Sequence, residues 1–443
     1  MGEITSFVSR LSLTQISPPG ASAVEQLVNG SLAELDGTWR LHPQLGEAVP
    51  TLENGLWRPL PDGRMETVWK IRQDARWHDG TPLTAADFVF TTTVDLDKEL
   101  PIPRNPAYNW VESVEAVDPK TVRVLWSRPY IEVDQFFTAR VVPPLPKHLL
   151  EEVYLNDKAS FITLSYWNQG YVGTGAFTVK DHVAGSSIIL HAFDGYAPGR
   201  AKLDEIEIRV FLDLNTLMTN LVTGTVDLTL GRGFTVEQAI QVREQWREGK
   251  LETNPRSWVV INPQFIGASP AVIGDVQFRR ALMYGTDRQE LVDTLQAGLT
   301  PVAHLFINPV FPEYKEVESA VVRYEYDPRR AVQLIEAIGY ARGPDGMFRD
   351  AAGERLAVEM RSNGERITEK TIVPVSDAWT RLGVATEPNL VPPQRITDRE
   401  YVANFPGFRM MRQPNDTIQV SRMHSSRHPR RRTASRGATP RAT

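Results

Sequence analysis

No cysteine occurs among the 443 residues. Disulfide staples, thiolate catalysis and cysteine-based zinc or iron–sulfur sites are therefore excluded. Long apolar runs are missing too, so nothing reads as a membrane-spanning helix. Met1-Gly2-Glu3-Ile4 lacks the basic and apolar regions of a signal peptide. The eight histidines are scattered, whereas a metal or haem site needs clustered ligands. His182 and His191 flank a hairpin turn expected at Gly185 and are near enough to meet across it. A solvated pair on an outer sheet edge is the preferred reading. Gly-x-Ser-x-Gly, Gly-x-x-x-x-Gly-Lys-Ser/Thr and His-Glu-x-x-His are all absent, and Gly231-Arg232-Gly233 is too short for a phosphate loop. The sequence points to no enzyme, no catalytic residue, no cofactor and no metal.

What is present describes an ordinary globular protein, 41% hydrophobic and 23% charged, long enough for two or three domains. The net charge is −5, but residues 421–443 hold seven arginines and no acid or lysine. That leaves 42 basic against 54 acidic side chains in the preceding 420 residues. An acidic body argues against a nucleic-acid partner, because phosphate binding needs clustered lysine and arginine. The tail has almost no large apolar side chains and is expected to be disordered. It reads as aberrant, the product of a frameshift or assembly error.

The densest local signal is residues 72–90. Glu66 to Arg72 alternates as a strand with one solvated face, with Val68 apolar between polar neighbours. Asp79-Gly80 signals a tight turn, since glycine accepts positive φ without steric cost. Thr84 then caps a helix, with Asp87 three residues on as a capping-box acid and Phe88-Val89-Phe90 opening the buried face.

The stretch Trp77-His78-Asp79-Gly80-Thr81-Pro82-Leu83-Thr84-Ala85-Ala86-Asp87-Phe88 resembles the signature of extracytoplasmic solute-binding proteins of the peptide/nickel class (family 5), which serve ABC importers. Later segments resemble the same family in order. These are Val172-Gly173-Thr174-Gly175-Ala176-Phe177 (Ala176 where proline is usual), Leu221-Val222-Thr223-Gly224-Thr225-Val226-Asp227, Phe278-Arg279-Arg280-Ala281-Leu282 with Thr286-Asp287-Arg288, and Tyr326-Asp327-Pro328 through Ile338-Gly339-Tyr340. The resemblance implies an α/β, two-lobed periplasmic-binding-protein fold (type II) with an extra inserted subdomain and a ligand enclosed between the lobes. It implies an expected division into 1–30 (first part of lobe I), 31–165 (inserted subdomain carrying the Trp-His-Asp-Gly motif), 166–262 (lobe I continued), 263–420 (lobe II) and the 421–443 tail. Such a chain would continue past residue 420, so lobe II is expected to be incomplete. In this family the motif is a structural corner, with Trp77 packed and Asp79 holding the turn.

Implied partners are a small-molecule or peptide ligand and an ABC permease complex, for a monomer that is periplasmic or lipid-anchored. A sensory module presenting solute to a receptor, or a non-functional fragment, are the alternatives. Ligand contacts are expected from Trp167, Asn168 and Tyr171, where aromatic faces suit side-chain pockets. Asn262 and Phe265 are expected at the entry to the second lobe, and Phe408, Arg409, Arg412, Asn415 and Asp416 late in the chain. Oligopeptide-binding members carry there an Asp that pairs with the peptide's α-ammonium. Arg412 stands at that place, and a guanidinium repels an ammonium but favours a carboxylate. An internal salt bridge is the competing role for Arg412.

Overall fold

The computed structural model describes residues 7–8, 20–37, 40–102, 104–138, 141–230, 234–253, 257–362, 364–395 and 398–415. The tail at 421–443 and Asp416 lie outside them. The chain divides into two compact units, Met1–Lys250 and Leu251–Thr443.

In the first unit, an antiparallel sheet runs in the order Trp57–Pro59, Met65–Lys70, Thr121–Trp126, Val111–Asp118. Alternation along Met65–Lys70 buries Met65, Thr67 and Trp69, so Val68 falls on the opposite, half-exposed face. The buried Thr67 hydroxyl is matched by the Trp126 indole, whose Nε1–H donates to it at 3.1 Å. Helix Ala85–Leu96 lays Phe88 into this core beside Trp69, Trp77, Trp126, Phe136 and Phe137. Each such fully buried aromatic contributes about 2–3 kcal/mol of hydrophobic stabilisation. A second antiparallel sheet, Phe177–Val183, Ser187–Ala192 and Glu205–Arg209, packs with helix Ala21–Val28 around Phe161, Trp167 and Tyr171.

Its register keeps the two histidines apart. His182 lies opposite Ile188 and His191 opposite Thr178, so they do not meet across the hairpin. His182 donates from Nδ1 to the Asn168 carbonyl at 2.9 Å, and His191 pairs with Glu205 at 3.1 Å. Helix Leu214–Val222 is capped by Asp213, whose carboxylate accepts from the Thr216 N–H.

The second unit is built on a sheet ordered Ser257–Pro263, Phe408–Pro414, Ala357–Ser362, Ala385–Leu390; the first pair is antiparallel and the others parallel. The expected boundary at 262/263 falls at the end of Ser257–Pro263, and that strand pairs along its length with Phe408–Pro414 inside this unit. Helix Arg366–Leu382 covers one face with Ile372, Val375 and Trp379, against Val358, Met360, Phe408 and Met410. Residues 276–295 form two helices, Val276–Tyr284 and Arg288–Leu295. The first ends at Tyr284 with Gly285 as its C-cap, and Asp287 caps the second by accepting from the Glu290 N–H.

Candidate functional site

The Trp77–Thr84 corner is local turn chemistry locked by tertiary contacts. The Trp77 N–H donates to the Thr81 carbonyl at 2.8 Å, the Gly80 N–H donates to Trp77, and Gly80 sits at φ 89°. Asp79 accepts from the Thr81 N–H at 2.9 Å and faces His148 Nε2 at 2.7 Å. Trp77 is fully buried. Asp87, 3% exposed, closes the capping box by accepting from the Thr84 N–H at 2.8 Å. Its other oxygen accepts from the Lys147 N–H, the first residue of helix Lys147–Asn156, at 3.0 Å. One buried carboxylate therefore serves two helix N-termini. Burial raises its pKa, against the Thr84 and Lys147 N–H groups, which favour the ionised form.

His78 joins this corner to Gly173-Thr174-Gly175. Its Nδ1 accepts from the Gly173 N–H at 3.0 Å and its Nε2 lies 3.1 Å from the Gly175 carbonyl, which fixes a neutral ring protonated at Nε2. Desolvation pulls its pKa down to about 4, against the Gly175 carbonyl and Asp79. Thr174 exchanges hydrogen bonds with both backbone groups of Gly30, at 3.1 and 2.8 Å. The two glycines are required by space: a Cβ on Gly173 would meet the Val28 carbonyl oxygen at 2.0 Å, and one on Gly175 the Leu27 oxygen at 2.4 Å.

A pH prediction follows from His78. In the unfolded chain it titrates near 6.5 and in the folded chain at about 4. The unfolded state thus binds the extra proton first. The His78 contribution is intact above pH 6.5 and lost as pH falls toward 4, by about 3 kcal/mol in total. His78→Gln is expected to flatten the urea midpoint against pH over that window; parallel profiles for the two proteins would sink the assignment.

The aromatic segment expected to face ligand is packed into the first unit. Trp167 is 3% exposed, donates from Nε1 to the Phe161 carbonyl at 2.7 Å and stacks edge-on against Phe161. Tyr171 is 4% exposed and its hydroxyl donates to Asn29 Oδ1 at 2.5 Å. Asn168 is half-buried, with its carbonyl committed to His182.

In the second unit, alternation separates the late candidates onto two faces of the sheet. Phe408 and Arg412 lie on the helix-covered face. Phe408 is buried, edge-on to Trp379 at 5.0 Å. Arg412 donates from Nε to Glu365 Oε2 at 2.6 Å and reaches Ser257 Oγ at 3.4 Å. It forms the internal salt bridge that was the competing role, and the anion-binding expectation is corrected accordingly. The opposite face carries Arg409 and Gln413, with Asn262 in register with Arg409 and Trp258 with Gln413. Arg361 lies on the other side of Arg409 and is neutralised by Glu359 at 2.7 Å. Arg409 has no hydrogen-bond or carboxylate partner among the described residues. Desolvation and the neighbouring Arg361 charge both lower its pKa. The Trp258 indole N–H, four residues from Asn262 on the same face, is buried without an acceptor among the described residues. Asn415 accepts from Asn308 Nδ2 at 3.5 Å, and Phe265, 65% exposed, sits under the Arg279 guanidinium at 5.1 Å.

Trp258 and Glu365 were not singled out in the sequence. The period-two pattern of Phe408–Pro414 already places residues 409 and 412 on opposite faces, and that signal separates the two arginines. Among the described residues no group of three histidine, aspartate or glutamate side chains forms a metal cluster, and no helix is long and apolar enough to cross a membrane.

The family of bacterial extracellular solute-binding proteins, family 5 Middle, matches residues 47–426. The chain is similar to the oligopeptide-binding protein AppA of Bacillus subtilis, 26% identical over 398 residues that cover 88% of this chain and 68% of that protein. It is 24% identical to heme-binding protein A of Haemophilus influenzae, over 83% of this chain and 65% of the relative. A probable ABC transporter-binding protein of Deinococcus radiodurans is 23% identical, with 72% of this chain and 57% of that protein covered. The chain thus spans between about half and two thirds of the length of its curated relatives. Among solved structures, NikA from Brucella suis in complex with Fe(III)-EDTA matches with a TM-score of 0.73 at 19% identity, covering 94% of this chain and 80% of that one. AppA from Bacillus subtilis in complex with a nonapeptide matches at 0.60 and 22%, covering 93% and 77%. These likenesses establish the two-lobed, type II α/β fold. With its Trp-His-Asp-Gly corner and Gly-Thr-Gly node joined through His78, the chain belongs to the bacterial extracellular solute-binding proteins of family 5.

Proposed function

We propose that this protein is the substrate-binding component of an ABC importer, capturing a short peptide or peptide-like solute outside the cytoplasm and handing it to a membrane permease without catalysis. The observation that carries the reading is the family match over residues 47–426. Peptide as the solute class draws on the relatives, several of which are described as oligopeptide- or peptide-binding. The half-buried donors Arg409, Asn262 and Trp258 support a polar solute, because unmatched donors in a partly desolvated setting favour an acceptor-bearing ligand. As a periplasmic or lipid-anchored protein it would act as a monomer.

A thermal-shift screen against peptides of two to five residues and against oligosaccharides tests this. Saturation at about a hundred times Kd is expected to raise the melting temperature by roughly 5 °C. Stabilisation by an oligosaccharide with none by any peptide would overturn the peptide assignment.

A further inference from the structure

The Trp77–Thr84 corner is closed by a cation that the chain itself supplies. Lys120 ends the turn Asp118-Pro119-Lys120 between strands Val111–Asp118 and Thr121–Trp126. Its Nζ donates to the carbonyls of Leu83 at 2.9 Å, Arg72 at 3.1 Å and Ala75 at 3.4 Å. An ammonium has three N–H donors and no acceptor, so main-chain oxygens take up all three. Arg72 and Ala75 lead into the corner and Leu83 leads out of it, so one nitrogen ties its two legs together. The backbone of the same turn is stitched to both legs: the Ile71 N–H donates to the Lys120 carbonyl at 2.7 Å, and the Ala85 N–H to the Pro119 carbonyl at 2.9 Å. Desolvation lowers the pKa of the ammonium, with the charges of Asp74 and Asp87 opposing and that of Arg76 adding to it. Asp74 is committed to Arg72, and Asp87 to the two helix starts. The Lys120 charge is therefore held by carbonyl dipoles.

We propose that the carbonyls of Arg72, Ala75 and Leu83 form a monovalent-cation site, of the size that takes ammonium or potassium, and that Lys120 is its tethered occupant. Convergent carbonyl oxygens are the ligands that replace the water shell of such ions. The spacing excludes magnesium and calcium, which need oxygens at about 2.0–2.6 Å and draw on carboxylates. Here the nearest oxygen is 2.9 Å from the charge, and all three are carbonyls. An empty cage is costly, because Ala75 and Leu83 are buried and their oxygens would face one another with no donor between them. Lysine suits the place better than arginine: a compact ammonium meets three converging oxygens, whereas a guanidinium spreads its donors in a plane. Tethering also fixes the local concentration of the cation, so the corner assembles regardless of the salt around the protein.

The test is thermal unfolding of the full chain in ammonium, potassium and tetramethylammonium chloride at equal ionic strength, the last ion being too large for the cage. Lys120→Ala empties the site and is expected to melt roughly 5–10 °C below the wild type in tetramethylammonium chloride. Ammonium and potassium, each at about ten times its Kd, are expected to restore roughly 4 °C of that loss. Lys120→Met keeps an uncharged stem that blocks the cage; it is expected to melt as low as Lys120→Ala and to gain nothing from either ion. The wild type, whose site is filled, is expected to show no such gain. Failure of both ions to raise Lys120→Ala above its value in tetramethylammonium overturns the site. An equal rise in the wild type or in Lys120→Met does the same, since it marks a general salt effect. A Lys120→Met protein as stable as the wild type overturns the role of the charge. Where Lys120→Ala does not fold in tetramethylammonium chloride, refolding yield in the three salts reads the same contrast, and equal yields overturn the site.

Discussion

Gly173→Ala is expected to cost about 3 kcal/mol or more of stability, enough to prevent folding of a marginal protein. The added Cβ meets the Val28 carbonyl oxygen at 2.0 Å, and both sides of that contact are backbone, so no flexible side chain can swing away. Relief requires moving the 27–30 segment or the 173–175 segment. Either shift disturbs the bonds of Thr174 to Gly30 and of His78 to Gly173. Gly80→Ala separates this effect from a loss of backbone freedom. Gly80 has φ 89°, but a Cβ there meets nothing within 4 Å, so its cost is about 1 kcal/mol. Thermal unfolding of the two variants decides the point; a loss in Gly173→Ala no greater than that in Gly80→Ala would show that the contact with Val28 relaxes and that close packing does not matter at this node.

The second large effect is expected at Asp87. Asp87→Ala removes the acceptor for the Thr84 and Lys147 N–H groups, leaving donors unmatched at two helix starts. Each lost cap costs about 1 kcal/mol, and unmatched buried donors add a desolvation penalty, for a total of about 3 kcal/mol. Asp87→Asn is expected to cost less but not to be neutral. Its amide presents one oxygen and one NH2, so one of the two helix starts still faces a donor instead of an acceptor. Urea unfolding followed by tryptophan fluorescence reads both variants. A loss in Asp87→Ala no greater than that of Thr84→Ala would show that helix Lys147–Asn156 does not depend on the carboxylate.

The corner was legible in the sequence because its determinants are local. Asp79-Gly80 and the Thr84–Asp87 box act within four residues, and turn chemistry of that range survives any tertiary context. Even so, the second role of Asp87 at Lys147, sixty positions away, is invisible to local pattern. The aromatic segment illustrates the opposite case. Nothing in Tyr166-Trp167-Asn168-Gln169-Gly170-Tyr171 distinguishes a ligand-facing ring from a packed one. Asn29, which accepts the Tyr171 hydroxyl, lies 142 residues earlier. Arg412 failed in the same way, since its neutralising partner Glu365 is 47 residues upstream. Arg409 was within reach of the sequence. Alternation sets it apart from Arg412, and what remained hidden was that Glu359 would be consumed by Arg361.

The bonds between Gly30 and Thr174 span 144 residues of chain. At a synthesis rate of about 5–20 residues per second, helix Ala21–Val28 and the strand that completes its setting emerge roughly 7–30 s apart. Over that interval Val24 and Val28 lack Phe177, Ile188 and Leu190 of their core, so completing it requires closing a loop across residues 31–173. The core around helix Ala21–Val28 is therefore completed late in synthesis, and the apolar face of that helix is expected to remain accessible to a chaperone until then.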